Sequence, residues 1–234
     1  MDPTRRIIVP LDLPTAPEAL AFVDRLRGRV GMFKVGLQLF TSAGPGIVRE
    51  IVRSGEEVFL DLKFHDIPNT VAQATAAAAS LGASFIDVHL AGGPRMLRAA
   101  VEAARTTPGI ARPPRLLGIT VLTSLEENDL DAVGMRGPLS ERVVSLARLG
   151  QDAGLDGVVA SPHEIASIKK ACGASFIVVT PGIRPTGAAH QDQRRVMTPA
   201  LALSAGADYL VIGRPIMEAP DPAAAVESIA QEMR

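Results

Sequence analysis

The chain is short of cysteine, aromatic residues and lysine, and it lacks long apolar or like-charged runs. Its one cysteine, Cys172, excludes an intrachain disulfide and offers no thiolate cluster for a metal. Aromatic residues make up only 3%, too few for a base-stacking platform, so Phe33, Phe40 and Phe64 are read as packing. No segment approaches the roughly 18 unbroken apolar residues of a membrane span. No run of five or more like charges occurs, and a formal net charge of −1 lacks the positive excess that non-specific nucleic-acid binding needs. Arg5-Arg6 is followed by Pro10, Asp12 and Pro14, which break the apolar stretch an export signal would require. These absences predict a soluble, cytoplasmic protein with neither nucleic acid nor membrane as partner.

What is present is a repeating pattern. Hydrophobic residues form 47% of 234 positions, enough for a large core. Strand-like apolar runs recur at 6–11, 30–35, 58–60, 84–89, 115–120, 156–160, 175–179 and 208–212. Several follow a glycine suited to closing a helix, namely Gly55, Gly82, Gly154, Gly173 and Gly206. Alanine-rich stretches with helical spacing lie between them at 71–81, 96–105 and 139–153. Strand followed by helix, repeated eight times, predicts parallel strands with crossover helices. The expected fold is therefore α/β, a (β/α)8 TIM barrel occupying residues 1–234 as a single domain; an open doubly wound sheet is the alternative.

In such a barrel, functional groups collect at the carboxyl ends of the strands. Those ends read Asp12, Lys34-Val-Gly36, Asp61-Leu-Lys63-Phe-His-Asp66, Asp87-Val-His89, Thr120 to Ser124, Thr180-Pro-Gly182 and Gly213-Arg214. Charges confined to one end of apolar runs must satisfy one another. Period-two alternation puts Asp61 and Lys63 on one face and turns Leu62 toward the helices. The bland reading is a structural ion pair. With Asp12, Lys34 and Asp66 on the same rim, the sharper one is a site that stresses an anionic group against a carboxylate and delivers a proton.

Lysine usage favours the second reading. Of 24 basic residues, four are lysine (Lys34, Lys63, Lys169, Lys170) and 20 are arginine. A lysine can surrender a proton whereas an arginine cannot, and two of the four stand at strand ends. Chance placement of so few residues is the alternative. After strands seven and eight, Gly182, Arg184, Gly213 and Arg214 resemble a phosphate cradle, with 183–196 long enough to close as a lid. A solvated surface loop is the alternative there.

Other motifs carry less. Gly44-Pro-Gly46 lacks the third glycine of a dinucleotide fingerprint, since position 49 is arginine. Neither a GxSxG elbow nor an HExxH helix occurs. His65, His89, His163 and His190 are not spaced as a metal set, and no metal is expected. His89 could reach the pocket from strand four, or could simply be structural.

The stretch Asp61-Leu-Lys-Phe-His-Asp-Ile-Pro-Asn-Thr70 resembles the signature of the bacterial-type orotidine 5'-phosphate decarboxylases. The likeness runs along almost the whole chain through Pro10-Leu-Asp12, Phe33-Lys-Val-Gly36, Val121-Leu-Thr-Ser124, Thr180-Pro-Gly-Ile-Arg184 and Val211-Ile-Gly-Arg214. The Asp-x-Lys-x-x-Asp core alone is shared with a wider group that includes hexulose-phosphate synthase and ketogulonate-phosphate decarboxylase. The resemblance implies cofactor-free decarboxylation of orotidine 5'-monophosphate by a homodimer with shared sites. It implies that Lys63 protonates C6, that Asp61 lies against the departing carboxylate, and that Lys34 and Asp12 hold the ribose and orient the network. Asp66, Ile67 and Thr70 would enter from the partner chain. Thr123 would meet the pyrimidine and Pro181 would be a further substrate-binding position. Gln193, Gly213, Arg184 and Arg214 would hold the phosphate.

Overall fold

A computed structural model of the chain describes residues 2–125, 127–135, 137–185 and 197–234. Eight strands occur where the apolar runs predict them: β1 (Ile7–Pro10), β2 (Met32–Gly36), β3 (Val58–Phe64), β4 (Phe85–His89), β5 (Arg115–Ile119), β6 (Gly157–Val159), β7 (Ile177–Thr180) and β8 (Tyr209–Val211). They are parallel and close in sequence order, with β1 hydrogen-bonded to both β2 and β8. Closure excludes the open doubly wound sheet and confirms the barrel.

Two apolar layers follow from strand alternation. Ile8, Met32, Phe59, Phe85, Leu117, Ile177, Val179 and Val211 fill the barrel interior, and Phe85 packs edge-on against both Phe59 and Tyr209. The opposite faces supply Ile7, Val9, Phe33, Val35, Leu60, Ile86 and Val88 to the larger core under the helices. Leu62 packs against that outer core, as its position in β3 predicts.

The predicted helices are also present, as Pro68–Ala79, Gly93–Thr106 and Leu139–Asp152. Gly82 and Gly206, at helix ends, adopt φ of 88° and 108°, a region that strains any residue with a Cβ. Gly55, Gly154 and Gly173 do the same. Among the described residues, no helix is long and apolar enough to cross a membrane.

Candidate active site

A cavity of about 500 Å³ opens at the carboxyl ends of the strands, lined by residues from β1, β2, β3 and the loops after β5, β7 and β8. Of the residues expected at the site, it brings together Asp12, Lys34, Asp61, Lys63, Thr123, Pro181, Arg184, Gly213 and Arg214. Asp66, Ile67 and Thr70 do not line it; Asp66 is exposed and Ile67 is 67% exposed. Gln193 and most of the expected lid lie outside the described residues. The base of that loop is defined: Ile183 bridges to Met197, and the Arg184 N–H donates to the Met197 carbonyl at 3.0 Å.

The charged end is a chain of alternating signs. Lys34 Nζ lies 3.0 Å from Asp61 Oδ2 and 3.9 Å from Asp12 Oδ1. Lys63 Nζ engages the other oxygen of Asp61. Gly36 makes room for this, because a Cβ there would stand 3.1 Å from Lys34 Nζ. Burial opposes the charge on Asp61, but Lys34, a hydrogen bond from Asp87 and Lys63 outweigh it and hold its carboxyl well below the usual range. Burial likewise opposes the Lys63 ammonium, yet the Asp61 charge beside it holds its pKa above the ordinary lysine value. Losing one partner of such a buried pair costs about 3–5 kcal/mol, because the other charge is left uncompensated.

Asp61 and Lys63 share the cavity face while Leu62 packs outward, as strand alternation predicts, but the backbone that carries them is irregular. Lys63 has φ of 52°, the left-handed region, and among the described residues no other non-glycine shows a positive φ. The β3–β4 register shifts between Leu60 and Phe64. The left-handed conformation costs an L-residue about 1–2 kcal/mol. Holding it is Asp87, whose Oδ1 accepts the Lys63 N–H at 2.8 Å.

Asp87 is the residue that sequence reasoning left without a role. The available signal was an aspartate inside the apolar run Phe85-Ile-Asp-Val-His89. It is fully buried, and burial first, then the Asp61 charge, push its carboxyl well above the usual range. The consequence for stability has a definite sign. A carboxyl whose folded pKa is raised contributes its stability fully below about pH 3.9 and loses it as pH rises toward the folded value. Asp87→Asn, with no proton to lose, is expected to gain Tm relative to the native chain between about pH 5 and pH 8. A Tm difference that stays flat with pH would show that Asp87 is ionised throughout.

Beside this network the His65 and His89 rings lie 5.3 Å apart, tilted by 35°. Burial, followed by repulsion from His65 and Lys63, holds the His89 pKa below the ordinary histidine value. The cavity floor is apolar, formed by Phe59, Ile119, Val121, Val159 and Val211. At the other end, Arg184 is buried, and its Nη1 donates to the Ile183 carbonyl at 2.9 Å. Gly182, Gly213 and Arg214 share that wall. The arrangement suits a flat, partly apolar ligand with an acidic group at one end and a phosphate at the other.

Residues 5–229 match the model of a family described as orotidine 5'-phosphate decarboxylase / HUMPS family. The chain belongs to the orotidine 5'-phosphate decarboxylase / HUMPS family. Among its relatives, orotidine 5'-phosphate decarboxylase of Moorella thermoacetica is 54% identical over 231 residues, covering 97% of this chain and 92% of the relative. The enzyme of the same name from Trichlorobacter lovleyi is 52% identical over 228 residues, covering 97% and 95%. The crystal structure of orotidine 5'-phosphate decarboxylase from Lactobacillus acidophilus superposes with a TM-score of 0.89 at 38% identity, covering 98% of this chain and 99% of that one. Within the decarboxylase / HUMPS family fold, then, this chain carries its charged network on β2, β3, β4 and the segment after β1.

Proposed function

We propose that the chain converts orotidine 5'-monophosphate to uridine 5'-monophosphate and carbon dioxide, the final step of pyrimidine nucleotide synthesis, with Lys63 as proton donor to C6. The observation that carries this reading is the partly buried Lys34–Asp61–Lys63 alternation, set in one cavity opposite Arg184 and Arg214. Loss of carbon dioxide leaves negative charge on C6. An ammonium fixed in place before the reaction stabilises that charge without reorganising, and then supplies the proton. Asp61, held ionised, faces the departing carboxylate, while Lys34 and Asp12 take the ribose hydroxyls. Thr123 meets the ring, and Pro181 adjoins it. Arg184, Arg214, Gly213 and Gln193 take the phosphate, whose binding energy drives assembly of the charged site.

In this reading the working unit is a cytoplasmic homodimer, the whole chain serving as one barrel domain. Asp66, Ile67 and Thr70 act in the partner's pocket. Their exposure supports that role, as does the exposure of Leu37. The direct test is loss of the ultraviolet absorbance of orotidine 5'-monophosphate on addition of purified protein. Unchanged absorbance at high protein concentration would refute the assignment.

The family description also covers relatives with another reaction, and the resemblance includes metal-dependent phosphosugar enzymes. Metal dependence separates them. Both Asp61 oxygens are engaged by ammonium groups, and among the described residues no cluster of three His, Cys, Asp or Glu could hold a metal ion. Turnover is therefore expected to survive exhaustive chelation with kcat unchanged. Activity lost to chelator and restored by magnesium would favour the phosphosugar branch.

A further inference from the structure

The mechanism above makes no use of the Asp87 carboxyl. Its Oδ1 is occupied by the Lys63 N–H. Among the described residues, no N–H or O–H reaches its Oδ2, although the group is fully buried. As a carboxylate, Asp87 would bury a second negative charge against Asp61 with one oxygen unsatisfied, an arrangement too costly to persist. As a neutral acid it has an O–H to give, and Asp61 is the acceptor beside it. The opposite displacements of the two carboxyls agree with one proton held on the Asp87 side.

The backbone supplies the second half of the case. In β3 the ladder to β4 is interrupted between Leu60 and Phe64, so the Lys63 peptide has a side-chain acceptor in place of a neighbouring strand carbonyl. That peptide belongs to the left-handed residue whose ammonium engages Asp61. One buried side chain thus touches both the backbone of the proposed proton donor and the carboxylate that faces the leaving group.

We propose that Asp87 is a positioning residue, pinning the Lys63 turn through Oδ1 and orienting Asp61 through a donated O–H at Oδ2. The inference rests on Lys63 acting as proton donor, and it concerns how that lysine is aimed. Asparagine can reproduce both contacts, accepting through its carbonyl and donating through its amide. Leucine keeps the volume and reproduces neither.

The test compares Asp87→Asn and Asp87→Leu by two readouts. The first, without substrate, is hydrogen exchange at the Lys63 amide. Protection is expected to persist in Asp87→Asn and to fall by about tenfold or more in Asp87→Leu, where the bond is lost. The second is kinetics on orotidine 5'-monophosphate. Asp87→Leu is expected to lose about a hundredfold in kcat with KM changed little, the signature of misaimed reacting groups, while Asp87→Asn keeps kcat within about tenfold.

Unchanged Lys63 amide exchange in Asp87→Leu overturns the proposal, as does kcat within threefold of native. Equal damage by both substitutions also overturns it. If Asp87→Leu does not fold, Asp87→Asn decides alone, since losing either amide protection or kcat in that variant is fatal. Should the native chain itself fail to turn over the nucleotide, the functional reading falls, and the amide measurement still decides whether Asp87 holds the turn.

Discussion

Two inactive chains, one carrying Lys63→Ala and the other Asp66→Ala, are expected to recover about a quarter of native activity when co-expressed. Lys63→Ala alone should lower kcat on the order of 10⁴-fold, the upper range for loss of a general acid. The recovery follows from the proposed two-fold symmetry. Asp66 is only three residues from Lys63, yet it is exposed and absent from the lining of the cavity that Lys63 enters. Within its own chain its carboxylate accepts the Ile67 N–H at 2.6 Å. If each chain lends Asp66 to its neighbour, a mixed dimer concentrates both defects in one pocket and leaves the other intact. Random pairing makes roughly half the dimers mixed, each with one good pocket of two, hence about a quarter. A mixture no more active than its parents would mean that Asp66 serves its own chain.

The second large effect is expected at Arg214, in the wall opposite the lysines. Arg214→Ala should lower kcat/KM for the nucleotide by about a hundredfold or more, the cost of losing a charged partner in a desolvated contact. Orotidine without its phosphate should be affected little, because the missing interaction was never available to it. The paired substrates matter, since a merely destabilised barrel would lose both activities alike. Equal impairment of the two would remove the phosphate from Arg214.

The two predictions examine opposite ends of one cavity. In the proposed reaction Lys63 acts on the reacting carbon, so its loss is expected in kcat. On the same proposal the arginine end acts through a group that does not react, so its loss should scale with whether the substrate carries that group.

The barrel was legible because its signals are local. A β-branched run such as Phe85-Ile-Asp-Val-His89 and a helix-ending glycine such as Gly82 act over a few residues, and eight repetitions leave few topologies. The site's location was legible for a related reason. Parallel strands all place their carboxyl ends at one mouth, so Asp12, Lys34, Asp61, Lys63 and Arg214 had to converge there. Spacing did not determine how they converge. Period two predicted that Asp61 and Lys63 would share a face, and they do, but it gave no sign of the left-handed conformation Lys63 adopts there. That conformation has its acceptor on β4, which is 24 residues away and comes within 2.8 Å when β3 and β4 pair. Nor could composition distinguish Asp87 from any other aspartate. Whether a carboxyl keeps its proton is decided by how much water and which charges surround it, and those are properties of the packed neighbours, not of the residue.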